Sequence, residues 1–201
     1  MTTTFEPVVS REDLGSEFLT YLWHAGESGV EEVFGKTPVR AQVQSHLKLK
    51  APDGSGSDIV VKGDFASQAP EVFVALWRGA LVAQAKLKLD INGAVIVGNI
   101  KAMDLTLTGC KLPKVEEQEP APRTEHGEKP GGEVELERQN VVDEAKLLFR
   151  TSLLEQAQDV VDQWFARFLE ERASKRYEGW AESFREWVGK NVKAVGAGKP
   201  I

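Results

Sequence analysis

Between Gly79 and Ile100 the chain places an apolar residue at every second position. Leu81, Ala83, Ala85, Leu87, Leu89 and Ile91 alternate with Val82, Gln84, Lys86, Lys88 and Asp90. A period of two predicts a strand with one buried face and one wetted face, here carrying two lysines. Asn92-Gly93 follows at once and suits a two-residue type I′ turn, because both turn positions require positive φ. Ala94 to Ile100 is the returning strand. A second alternation begins after Pro38: Val39, Ala41, Val43, Ser45, Leu47 and Leu49 point one way, and Arg40, Gln42, Gln44, His46, Lys48 and Lys50 the other. The Gly-, Ser- and Asp-rich stretch Pro52 to Asp58 turns that strand back into Ile59 to Lys62.

Helical spacing takes over elsewhere. Ser10 and Asp13 form a capping box, and Leu14, Phe18, Leu19, Leu22 and Trp23 share one face of a core-packing helix ended by Gly26 or Gly29. A short helix opens at Ser67 or at Ala69-Pro70, buries Val72, Phe73, Leu76 and Trp77, and stops at Gly79. A last strand is predicted over Leu105 to Leu107, closing at Gly109 and Pro113. Residues 115–140 hold eight acidic residues among Pro and Gly, which predicts a flexible linker or exposed loop. Beyond it, Phe149, Leu153, Ala157, Val160, Val161, Trp164, Phe168 and Leu169 make the stripe of a long helix. Trp180, Phe184, Trp187 and Val188 mark a shorter one, and the tail from Gly196 reads as loose. No internal repeat is evident. The expected fold is α+β: a mostly antiparallel sheet with helices packed on one face, plus a C-terminal helical segment. The expected division is a sheet domain over 1–114, the acidic linker over 115–140, and helices over 141–195 that pack on the sheet domain or on a partner subunit.

Composition narrows the class. With 201 residues, 41% hydrophobic and 28% charged, the chain fits one soluble domain or two small ones. Its one cysteine, Cys110, excludes an internal disulfide and points to a reducing compartment. The N-terminus lacks a basic region followed by an apolar one, and no run approaches the ~18 apolar residues of a membrane span. A cytoplasmic protein without membrane contact is expected. The net charge is −6, but its distribution matters more. Residues 36–114 hold eleven basic and six acidic residues, against one and seven in 1–35 and thirteen and eighteen in 115–201. The strand region is a basic island between acidic flanks.

Motifs for catalysis are missing. Gly196, Gly198 and Lys199 lack the spacing and the following helix of a phosphate loop. His24, His46 and His126 stand far apart with no zinc spacing, and His24 reads as a half-buried or capping residue. Cys110 carries no nucleophile signature, and Asp159 and Asp162 belong to the wet side of a helix. The expectation is a protein that is not an enzyme, with no cofactor, no metal and no small-molecule substrate. The basic face is the feature with binding chemistry. If the two strand systems share a sheet, Arg40, His46, Lys48, Lys50, Lys86 and Lys88 line one face together with Gln42, Gln44 and Gln84. Cations and amides in that pattern suit phosphate oxygens, and counterion release gives affinity without sequence preference. The competing reading is a solvated strand face whose lysines protect against edge pairing. No aromatic residue interleaves with the charges, which favours duplex backbone over stacked single strands.

At these residues a family comes into view. The segments Leu14 to Trp23 (LGSEFLTYLW), Leu76 to Gly79 (LWRG) running into Val82 to Leu89 (VAQAKLKL), Leu105 to Pro113 (LTLTGCKLP) and Asp162 to Leu169 (DQWFARFL) resemble the recombination-associated RdgC family, in particular short, divergent members. The likeness spans most of the chain. It implies a non-enzymatic, nucleoid-associated protein that dimerises around duplex DNA, limits recombinase access, and so modulates recombination and replication. Self-association is expected through the aromatic C-terminal helices, at Trp164, Phe168, Trp180, Phe184 and Trp187. For Trp164 and Phe168 an intramolecular core is an equal reading. The rival function is a protein-interaction module built on those helices, with no DNA role.

Overall fold

Ser10 caps the first helix as its spacing predicts. Its Oγ accepts the Asp13 N–H at 3.1 Å and donates to the Asp13 carboxylate at 2.7 Å. The helix, α1, runs Arg11–Glu27 and buries Phe18, Leu19, Leu22 and Trp23. Gly29 follows it at φ 68° while the Val30 N–H reaches back to the Ala25 carbonyl, an ending that favours glycine. The computed structural model describes residues 10–51, 58–63, 66–113 and 132–196, with backbone alone at 132–140, 142 and 195.

The described strands form one antiparallel sheet. They are β1 (Glu32–Phe34), β2 (Thr37–Lys50), β3 (Ile59–Lys62), β4 (Leu81–Ile91), β5 (Ala94–Lys101) and β6 (Thr108–Lys111). The order is β1-β2-β4-β5-β6, and β3 pairs with β2 near its far end. Asn92 and Gly93 take φ 51° and 86°, as a type I′ turn between β4 and β5 requires. Two irregularities shape the centre. Val43 faces Leu87 and Leu47 faces Ala85, so Gln44, Ser45 and His46 together oppose Lys86 alone. Further along, Lys48 faces Gln84 and Leu49 faces Val82, which leaves Ala83 as the extra residue of β4. This shift corrects the simple alternation: Val82 is fully buried, while Leu81 and Ala83 are half-buried. A bulge exchanges the faces of a strand at one residue's cost.

Helices cover one side of this sheet. With α1 lie α2 (Pro70–Trp77), α3 (Gly132–Arg172) and α4 (Lys175–Gly196). Trp164 and Phe168 of α3 join the same core, their rings 5.6 Å from Phe34 and 5.5 Å from Phe18. Trp187 of α4 reaches Trp23 at 5.4 Å and Phe73 at 5.2 Å. Both C-terminal helices therefore pack within their own chain, α3 against β1 and α1, and α4 against α1 and α2.

Two boundaries differ from expectation. The last strand is β6, not Leu105 to Leu107. Leu105 sits at φ 57°, 3% exposed; its N–H turns back to the Lys101 carbonyl at the end of β5, and the groups that follow bond to a side chain of α3. Gln158 accepts the Leu107 N–H at 3.0 Å and donates to the Leu105 carbonyl at 3.1 Å. Helix α3 begins at Gly132, inside the segment expected as linker, so 132–140 is helical. Its run of Glu, Leu, Arg and Gln has good helix propensity, and acidic residues suit a helix N-terminus. The rest of the expected linker, the loop from Pro52 and the tail beyond Gly196 lie outside the described residues.

Candidate nucleic-acid interface

The side of the sheet away from the helices is built by register. Residues directly opposite one another on paired antiparallel strands point to the same side. Gln42 faces Lys88, Lys88 faces Val97, and Val97 faces Lys111, a row crossing β2, β4, β5 and β6. A second row runs Val60, Lys48, Gln84 and Lys101 across β3, β2, β4 and β5. Lys86 faces Asn99, Arg40 faces Asp90, and His46 faces Lys62. The inward residues between them, from Val39 and Ala41 to Leu87, Leu89 and Ile96, are buried. Arg40, His46, Lys48, Lys86 and Lys88 therefore do share one face.

Three of the six expected residues are already engaged. Arg40 Nε donates to Glu31 at 2.6 Å, and Lys48 Nζ lies 2.6 Å from Asp58. Lys50, at the end of β2, reaches to Glu12 at the start of α1 at 3.1 Å, and that hydrogen bond pushes its ammonium above its usual range. These are exposed pairs, each worth no more than about 1 kcal/mol, so a stronger anion can displace the carboxylate. Lys86 and Lys88 make no ion pair among the described residues.

The structure adds three cations that the strand alternation alone did not bring to this face: Lys62, Lys101 and Lys111. They too are unpaired among the described residues. Their signal lay in the turns: a two-residue turn at Asn92-Gly93 fixes Lys101 opposite Gln84. Strands lie about 4.8 Å apart and alternate residues about 7 Å apart, so the lysines form a grid with a pitch of roughly 5–10 Å. Asp90 stands opposite Arg40 within it, and its Oδ1 is occupied by the Gly93 N–H at 2.9 Å. Beside the three-against-one bulge the grid meets a polar recess of about 610 Å³, lined by Gln42, Gln44, Ser45, Gln68 and Lys86 among others.

The arrangement concentrates positive charge on one face of the sheet. Among the described residues, no three His, Cys, Asp or Glu side chains gather as a metal site. Cys110 is half-buried, and burial pushes its thiol up. No described helix is long and apolar enough to cross a membrane.

The five aromatic residues expected for self-association all make ring contacts within their own chain. Trp164 and Phe168 are each 1% exposed. Trp180 and Phe184 are half-buried, stacked at 5.4 Å, and both close over His24 of α1. Trp187 is wedged between Trp23, His24 and Phe73. No family model, no curated protein and no solved structure matches the chain.

Proposed function

We propose that this chain binds duplex DNA through the open face of its sheet, without sequence preference and without catalysing a reaction. The observation that carries the reading is the cross-strand register. It sets Lys62, Lys86, Lys88, Lys101 and Lys111 on one uncovered face, unpaired among the described residues, in a chain whose net charge is −6. A solvated strand face needs no such concentration, since lysines spread over both sheet edges and helices would serve solubility equally. The resemblance to the RdgC family supplies the biological direction, modulation of recombination and replication in the nucleoid.

The test is fluorescence anisotropy with two unrelated duplexes over a range of salt. Five phosphate contacts predict a slope of log affinity on log salt of about −4 to −5, the same for both sequences. No binding at low salt, or a slope near zero, refutes the reading and leaves an interaction module without a DNA role.

A further inference from the structure

Helix α3 is 41 residues long, and its buried stripe begins only at Leu153, continuing through Ala157, Val160, Val161, Trp164 and Phe168. Before that point the helix extends as an arm whose described apolar side chains are exposed. Val141 is 66% exposed, and Leu147 and Leu148 are 64% each. A helix gains most of its stability by burying an apolar stripe against a partner. On this arm that stripe has none among the described residues.

The arm has a definite outward side. At 3.6 residues per turn, Val141 and Leu148 coincide within about 20°, and they stand roughly 160° around the axis from the stripe that faces the core. Glu144, Ser152 and Glu155 fall within about 40° of Leu148 on the same count, whereas Lys146 and Arg150 fall on the core-facing side. Among the described residues, the outward side is therefore apolar along its middle, and the charged groups nearest Leu148 are carboxylates.

The same chain has a groove of the opposite character. It lies between α2 and α4, about 850 Å³, and its floor is apolar: Leu76, Trp77, Leu81, Trp180 and Phe184. Trp77 is 61% exposed there. Arg185, Lys190 and Lys193 line it and are unpaired among the described residues, and no residue of α3 contributes to it. Of its two acidic groups, Glu17 is held by Arg172 at 2.8 Å, leaving Glu186.

We infer that the outward side of the α3 arm docks in the α2–α4 groove of a second copy of this chain, Leu148 entering the apolar floor while Glu144 and Glu155, about 16 Å apart along the arm, meet the basic rim that runs from Arg185 through Lys190 to Lys193. An amphipathic helix in an apolar groove is a recurring mode of recognition. Here a single sequence holds both halves, with complementary charge. The contact is heterologous, arm to groove, and is independent of the DNA reading.

Sedimentation of the full chain across the micromolar range tests this. The unmodified chain is expected to gain mass with concentration. Glu144→Lys with Glu155→Lys, and separately Lys190→Glu with Lys193→Glu, each weaken association by at least about tenfold, because like charges then meet. All four substituted positions are exposed, so folding is preserved and is checked by circular dichroism. Combining the four changes in one chain restores association, since the charges are exchanged. Mixing an arm variant, Leu148→Glu, with the Lys190→Glu, Lys193→Glu variant restores association that neither shows alone, because the normal arm of one meets the normal groove of the other; no complex in the mixture counts against the inference. A chain monomeric at every concentration overturns the inference. So does association of the groove variant at full strength, which would mean that arms pair with arms.

Discussion

Gly15 gives the sharpest test of how α1 is seated. A Cβ built on Gly15 would stand 1.9 Å from the carbonyl oxygen of Ala102 and 2.8 Å from its carbon. Both partners are backbone, one in a helix and one in the buried turn after β5, so neither can rotate away. Gly15→Ala must lift α1 by more than an ångström over fully buried Phe18 and Trp23. Helix propensity pulls the other way, favouring Ala by up to about 1 kcal/mol. Overpacking a tight contact costs typically about 1–3 kcal/mol. The net expectation is a loss of up to about 2 kcal/mol, or up to roughly 8 °C in Tm for a chain of this size. Gly179 is the internal control. It lies within α4, exposed, with nothing within 4 Å of its added Cβ. The same substitution there has only the propensity term and should stabilise by about 0.5–1 kcal/mol. Urea unfolding followed by circular dichroism and tryptophan fluorescence compares the two. Equal gains at both positions would show that α1 is not seated against Ala102.

Three further outcomes are expected. His24 is buried beneath Trp180, Phe184 and Trp187, and burial lowers its pKa from 6.5. The unfolded chain then takes the proton first, so this contribution is intact above 6.5 and declines as pH falls toward the folded group's lower pKa. His24→Gln should show a smaller drop in Tm than the unmodified chain between about pH 8 and about pH 5; an unchanged drop refutes it. Lys86→Gln with Lys88→Gln should flatten the DNA salt slope by about two units on every duplex while moving stability by less than about 0.5 kcal/mol; an unaltered slope removes these lysines from the interface. Trp164→Ala should cost about 3–5 kcal/mol in urea unfolding, because it empties the contact with Phe34; a loss under about 1 kcal/mol would mean α3 is not anchored there.

The sheet was legible because its signals are local. Asn92-Gly93 specifies its own turn, and β2 and β4 alternate over many residues. What escaped depended on distant partners. Nothing near Ala83 announces that it will be the odd residue against Lys48 and Leu49, and nothing near Leu105 foretells that Gln158, more than fifty positions on, will satisfy its carbonyl. Helix α3 was cut short because acidic residues with Pro and Gly read as linker, whereas only those before Gly132 carry the prolines. For the candidate site, Arg40 to Lys88 could be assigned to one face from alternation. Lys62 and Lys111 needed the pairing of β3 and β6, and the ion pairs of Lys48 and Lys50 needed three dimensions. The aromatic residues of α3 and α4 were ambiguous for a simple reason: a stripe of Trp and Phe looks the same whether its partner is its own chain or another.

The ring pair of Phe18 and Phe168, joined by the Glu17–Arg172 ion pair, ties the beginning of the chain to a point about 150 residues later. That closure has a temporal consequence. A ribosome adds about 5–20 residues per second, so the whole sheet is synthesised several seconds before its last helical cover emerges. During that interval α1 and α2 can settle on β2 and β4, but Phe34 and the surface beneath Trp164 stay open to water. The nascent chain thus presents an apolar window next to β1, which makes this the stage at which a chaperone has most to hold and misassembly most to gain.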